Sequence, residues 1–268
     1  MRYSIITVNL NNANGLMETI ESVVKQTCHD YEFLIIDGGS IDDSMHIIKQ
    51  YRDKVDYWVS EPDEGIFNAM NKGISASHGE YLIFMNSGDC FYNNSVLDDS
   101  ITYLGADFII GRIARKENGT IMNYELSDIS MMTFYKGAIP HQATFIKRSL
   151  FDNSLYDEKL KISSDWKFFF QKLIIENASY TSAPVVICSF DTCGISNTNS
   201  ILATEERNQI ISEIIPKRIL KDYERYKDKD CEMLELIPYF KYTRNINRII
   251  TSFTKMILHL SRIKTTLQ

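Results

Sequence analysis

Within the first 90 residues, strand-length apolar runs stop on polar side chains: SIITVNL at 4–10, FLII at 33–36, YWV at 57–59 and YLIFM at 81–85. Helix-length segments separate them. Leu16, Ile20, Val23, Val24 and Thr27 recur at helical spacing, Ile47, Ile48 and Tyr51 share a second helix face, and 66–77 reads as a third helix. Strands alternating with helices predict βαβ units and a mostly parallel sheet, so the fold class is α/β. Strands that are apolar throughout need cover on both faces. In such sheets ligands bind beyond the carboxyl ends of the strands. Chemistry is therefore expected at Asn9, Asn11, Asp37 and the 86–89 segment.

Farther on the alternation weakens. Strands are expected at 106–112, 143–146 and 185–190 and a helix at 164–175, while 115–135 has no clear period. The chain becomes helical and more charged from Thr204. We expect one α/β domain over 1–203 and a helical extension over 204–268, because a single core can serve roughly 250 residues. The formal charge of -6 divides unevenly: every acid lies at or before Glu235, and 236–268 carries six Lys or Arg. In that tail Ile246, Ile249, Ile250, Phe253, Met256, Ile257, Leu260 and Ile263 form one apolar stripe at helical steps. A basic amphipathic helix of this kind suits an anionic membrane surface or, alternatively, the catalytic domain or a second copy in a homodimer. An acidic body argues against nucleic acid as a partner. The five cysteines include no CxxC pair, which points to a reducing compartment. The start of the chain has no secretory pattern, and no apolar run reaches the ~20 residues of a spanning helix. The expected location is the cytoplasm, peripheral on the inner face of the cell membrane if the tail binds lipid.

Four constellations carry chemistry. In IIDGGSIDDS, Asp37 ends a strand, where a carboxylate can accept hydrogen bonds from a base or ribose and the glycines let backbone approach a ligand; a helix-capping turn is the plain alternative. In SEPDEGIFNAMNKG, Asp63 can contact a nucleotide and Lys72 its phosphates, unless both lie on an exposed turn and a solvated helix face. In FMNSGDCF, the strand-end turn Asn86, Ser87, Gly88 and Asp89 suits Mn²⁺ or Mg²⁺, hard ions that take one or two carboxylates plus diphosphate oxygens. The same residues also suit a β-turn by dihedral preference alone. In ISSDWKFFF, Asp165 opens an aromatic helix and can act as a base toward an acceptor hydroxyl or as an N-cap. His141 and Gln142 follow Pro140 as active-site candidates, with a structural histidine as the alternative.

The order of these motifs resembles glycosyltransferase family 2, inverting enzymes with the GT-A fold, and in particular bacterial members that build surface polysaccharide or lipid-linked glycans. The stretches that carry the resemblance are SIITVNLNN, SVVKQTCHDYEFLIIDGGSIDDS, SEPDEGIFNAMNKGISASHGEYLIFMNSGD and PHQATFIKRSLFDNSLYDEKLKISSDWKFFF. It implies a Rossmann-like nucleotide-sugar-binding fold, with Asp37 at the nucleotide, Asp89 on the metal, Asp165 as general base, and donor contacts around Asn86, Ser87 and Gly88, with Asn9 beside them. It implies a nucleotide-sugar donor, with UDP favoured, and a glycan or lipid-linked acceptor. The chain departs from the family at three places. Asn86 and Gly88 leave Asp89 as the sole acid of the metal turn, Met70 stands where many members have arginine, and Ser164 precedes Asp165 where many have glutamate. A nucleotidyltransferase would need a glycine-rich, cationic loop early in the chain, which 9–15 lacks. A degenerate binding or assembly subunit is the non-enzymatic alternative.

Overall fold

A computed structural model describes residues 1–116, 120–122, 128–190 and 199–226. The amphipathic tail stripe lies outside the described residues. The first half alternates as its pattern predicts: β1 (Tyr3–Asn9), α1 (Ala13–Val24), β2 (Tyr31–Asp37), α2 (Ser44–Gln50), β3 (Tyr57–Ser60), α3 (Ile66–Ala76) and β4 (Tyr81–Phe84). Strands β3, β2, β1 and β4 are neighbours in that order and all parallel. Successive strands thus move outward from β1 to β3, and β4 returns to the other side of β1. That reversal makes the β1–β4 boundary the topological switch point, the place beyond which open α/β sheets bind their ligands.

The apolar runs of β1, β2 and β4 are buried because helices cover both faces, whereas the edge strand β3 leaves Tyr57 and Trp58 exposed. Ile5, Phe33, Ile35 and Ile83 pack with Leu16 and Ile20 of α1 and Ile47 and Ile48 of α2. On the other face Gly73 of α3 approaches so closely that an added Cβ would stand 2.5 Å from the Ile6 side chain. Helix α3 buries Phe67, Met70 and Ile74 on this side.

Beyond β4 the sheet becomes mixed. It continues through β5 (Cys90–Phe91), β6 (Phe108–Arg115), β7 (Ile121–Met122), β8 (Thr144–Lys147) and β9 (Tyr180–Phe190), with short helices α4 (Val96–Ser100) and α5 (Met131–Lys136) between them. Strand β8 runs antiparallel between β4 and β6, and β6 pairs parallel with β9. Two expectations need correction here. The last strand begins at Tyr180 rather than 185, because Pro184 interrupts the pattern without ending the strand. The β6–β9 ladder takes up the proline by a register shift, pairing Ile110 with Ser182 but Arg112 with Val186. A bulge is one of the few places a sheet admits proline. Secondly, 115–135 contains a helix, α5, too short to show a period.

Helix α6 (Ser164–Phe170) continues as a π-turn over Gln171–Ile175. Its aromatic residues bind it to the sheet and to the turn after β8: Phe169 meets Phe108 of β6 at 5.3 Å, and Phe168 stacks on Phe151 at 4.4 Å. Helix α7 (Ser200–Ile214) belongs to the same compact unit, Met1–Pro216, while α8 (Lys217–Tyr226) falls in a second unit. Among the described residues no helix is long and apolar enough to cross a membrane. The whole is an α/β fold whose principal ladders are parallel, with helices at its C-terminal side.

Candidate active site

Strands β1 and β2 end side by side, pairing Asn9 with Asp37. The Asn9 amide donates to Asp37 Oδ1 at 2.7 Å. Asp37 is fully buried and also accepts from the Ser40 hydroxyl (2.6 Å), the Ser40 N–H (2.9 Å) and the Ser60 hydroxyl (2.6 Å). Burial alone would raise its pKa; the hydrogen bonds from Ser40, Ser60 and Asn9 outweigh it and hold the carboxyl below its ordinary value. The carboxylate thus ties together the ends of β1, β2 and β3 and the loop after β2. Asn9 Oδ1 is buried and has no partner.

The turn after β4 is held from beneath by α1. Gly88 has φ of 104°, a region that glycine enters without Cβ strain. Its N–H donates to Thr19 Oγ at 3.0 Å, and the Thr19 hydroxyl lies 2.7 Å from the Asp89 carbonyl and 3.2 Å from that of Asn86. Asn12, the N-cap of α1, donates to the Ser87 carbonyl at 3.0 Å. Asp89 itself is half-buried. Lys116, at the end of β6, donates to the Gly88 carbonyl at 3.1 Å and pairs with Glu18. Asn86 Oδ1 is buried without a partner on this same turn.

Asp63 and Lys72 come together directly. The Lys72 ammonium lies 2.6 Å from Asp63 and 2.8 Å from Glu61, and these acids raise its pKa. Asp63 also leans on the loop after β2, for a Cβ at Gly38 would stand 2.9 Å from its Oδ2. Asn71, on the same helix, is buried and holds the segment before α6: its amide donates to the Tyr156 carbonyl and Glu158, and its Oδ1 accepts from the Tyr156 N–H. A shallow cleft of about 480 Å³ borders this region, lined by Tyr57, Asn68, Asn71, Lys72, Leu155 and Glu158. It lies against α3 and includes neither Asp89 nor Asp165.

Asp165 stands half-buried in the first turn of α6, where Ser163 and not the acid occupies the N-cap position. Its charge acts on His141, Tyr156 and Arg207. His141 is buried, stacks on Phe84 at 4.8 Å and bonds Tyr156 Oη at 2.8 Å. Burial lowers the imidazole pKa, against an opposite pull from Asp165, and raises that of Tyr156 well above its ordinary value. Both are neutral at pH 7. Gln142 follows, half-buried. The segment leading into α6 is fixed by α7: Glu206, itself buried, accepts from the N–H groups of Lys161 (2.8 Å), Ile162 (3.1 Å) and Ser163 (2.8 Å).

Sequence reasoning missed Thr19, Asn12, Asn71 and Glu206. Thr19 and Glu206 occupy helix interiors, where periodicity assigns one to the core and the other to solvent. Asn71 did carry a signal, since a buried asparagine on an apolar helix face needs partners.

The parallel strands β3, β2, β1 and β4, their mixed continuation and the helices that cover them form a GT-A-like α/β fold. The chain belongs to glycosyl transferase family 2, whose sequence profile matches residues 4–174. It is 30% identical over 210 residues to an uncharacterized glycosyltransferase of Mycobacterium tuberculosis, covering 72% of this chain and 76% of the relative. It is 27% identical over 205 residues to a PGL/p-HBAD biosynthesis glycosyltransferase of Mycobacterium bovis, covering 73% and 79%. Among solved structures it resembles S. aureus TarS 1-349 in complex with UDP-GlcNAc, with TM-score 0.62, 15% identity, and 87% and 77% of the two chains covered. The mannosyltransferase PcManGT from Pyrobaculum calidifontis, in complex with GDP-Man and Mn²⁺, gives TM-score 0.57 at 15% identity, over 70% and 56%. The protein is thus a glycosyltransferase.

Proposed function

We propose that the enzyme transfers a sugar from a nucleotide sugar, with UDP as the favoured nucleotide, to an acceptor hydroxyl, with inversion at the anomeric carbon. One observation supports this reading above others: in a family 2 chain, Asn9 and Asp37 end the paired strands β1 and β2, and the 86–89 turn follows β4 beside β1. The nucleotide complexes of the two structural relatives support a donor of this class.

In this reading Asp37 and Asn9 fix the loop on which the base and ribose rest, and Asp63 borders it. Lys72, already paired with two acids, contributes to the donor side by positioning Asp63. Asn86, Ser87 and Gly88 face the donor sugar and diphosphate. Asp89 would hold Mn²⁺ or Mg²⁺. Among the described residues no three metal-ligating side chains cluster, so the remaining ligands would come largely from the donor. Asn86 Oδ1, an oxygen left without a partner on the turn, fits a hard cation. When bound, the ion offsets charge on the departing diphosphate. Asp165 takes the proton of the attacking hydroxyl, help worth roughly 10²–10⁴ in rate, and His141 and Gln142 border the acceptor side as neutral groups.

The acceptor side also accounts for the basic tail. A glycan or lipid-linked acceptor at the inner face of a membrane would be met by an enzyme held there by its C-terminal segment. A thermal-shift screen of nucleotide sugars, with and without Mn²⁺, tests the donor. Saturation at 100 times Kd adds about 2.7 kcal/mol. A panel in which no nucleotide sugar stabilises the protein or is consumed would leave the assembly-subunit reading standing.

A further inference from the structure

Arg207 lies on α7, next to Glu206 and beyond the residues the family profile covers. Its guanidinium carbon stands 5.8 Å from the centre of the Trp166 ring, whose residue adjoins Asp165. Its Nε is buried and has no hydrogen-bond partner among the described residues. The acid beside it is committed elsewhere, since both oxygens of Glu206 accept backbone N–H groups. The ion pairs on and around α6 are Lys167–Asp157 and Lys172–Glu176, and neither includes Arg207. Asp165 acts on it only through space; the other groups that feel Asp165, His141 and Tyr156, are neutral and bonded to each other. Arginine stays charged at any working pH. A partly desolvated guanidinium with a buried Nε–H left unanswered is costly, and its planar fork matches the paired oxygens of a phosphate or carboxylate.

We propose that Arg207 is an anion subsite for the acceptor, so that the acceptor carries a phosphate or carboxylate near the hydroxyl that reacts. This rests on the reading of Asp165 as the base: the hydroxyl faces Asp165 while the anionic group takes the guanidinium. Helix α7 then supplies both the clamp on the base-bearing segment and the group that selects the acceptor.

The test is a binding measurement that needs no turnover. The chain has two tryptophans, so Trp58→Phe leaves Trp166 as the reporter beneath the guanidinium. The probes are glucose 1-phosphate, glucuronate and farnesyl phosphate, with methyl glucoside as the neutral control and UDP as competitor. At least one anionic probe should change Trp166 emission saturably, bind tenfold or more weakly to Arg207→Gln, and recover in part in Arg207→Lys. The responding probe tells a sugar phosphate from a uronic acid or a lipid phosphate. The subsite is overturned if no anionic probe responds, or if Arg207→Gln binds as wild type does. It is also overturned if UDP displaces the probe and Arg207→Gln weakens UDP binding, since the anion would then be the donor's diphosphate. Failure of the transferase reading would look different: no nucleotide sugar consumed, with the Trp166 response intact.

Discussion

Single residues divide into those the sequence singles out and those that only contacts reveal. Asp89 and Asp165, the proposed metal ligand and base, are of the first kind: one is the acid of the turn after β4, the other opens an aromatic helix. Asp89→Asn should leave the unfolding midpoint nearly unchanged and abolish the Mn²⁺-dependent part of donor binding, read by calorimetry with and without the ion. Full Mn²⁺-dependent turnover in that variant would put the metal elsewhere. Asp165→Asn should keep donor affinity within about twofold while kcat falls roughly 10²–10⁴; a near wild-type kcat would remove it as the base. Asp37 was visible as a strand-end acid, but its saturation by Asn9, Ser40 and Ser60 was not. Its folded pKa is depressed, so the stability it contributes is present above the unfolded value of about 3.9 and is lost as pH falls through the lower folded one. Asp37→Asn should therefore cost about 1–3 kcal/mol at pH 7, and the gap to wild type should narrow at pH 3. Urea unfolding at the two pH values measures it, and a gap that does not narrow would contradict the assignment.

At the scale of elements, β1 to β4 were legible because each strand carries a short, mostly apolar run and each helix keeps one apolar face. The later sheet was harder to read, since β5 and β7 have two residues each and β9 contains a proline. The β6–β9 shift depends on Gly111, where an added Cβ would stand 2.3 Å from the Ile187 side chain and 2.9 Å from the Val185 carbonyl. Gly111→Ala should cost about 1–3 kcal/mol through overpacking, seen as a lower denaturation midpoint with unchanged donor affinity. From Thr204 the sequence reads only as helical and more charged, and nothing in it shows that the partners of Glu206 are backbone groups 43–45 residues earlier. Glu206→Ala leaves three N–H groups without an acceptor. It should lower kcat at least tenfold with donor KM little changed, and Glu206→Asp should restore part of the loss. A stability loss with kcat intact would limit Glu206 to a structural role.

At the scale of the molecule, the compact unit ends at Pro216. A 1–216 chain is expected to unfold in one transition and to keep donor binding, whereas a chain ending at 203 lacks Glu206, Arg207, Ile210 and Ile211 and should be markedly less stable. Circular dichroism melts of the two truncations make the comparison. Deleting 243–268 should abolish co-sedimentation with anionic vesicles at low salt if the basic stripe binds lipid, since each Lys or Arg at such a surface contributes about 1 kcal/mol; a dimer that becomes a monomer would instead assign the stripe to self-association. The bond from Glu206 to residues 161–163 also bears on how relatives could be recombined. A chimera that joins two family members after residue 174 would separate the turn leading into α6, which carries the proposed base, from the helix that holds it. The transplantable cassette runs from residue 161 to residue 214, and only a graft that moves it whole keeps the turn and its clamp from the same parent.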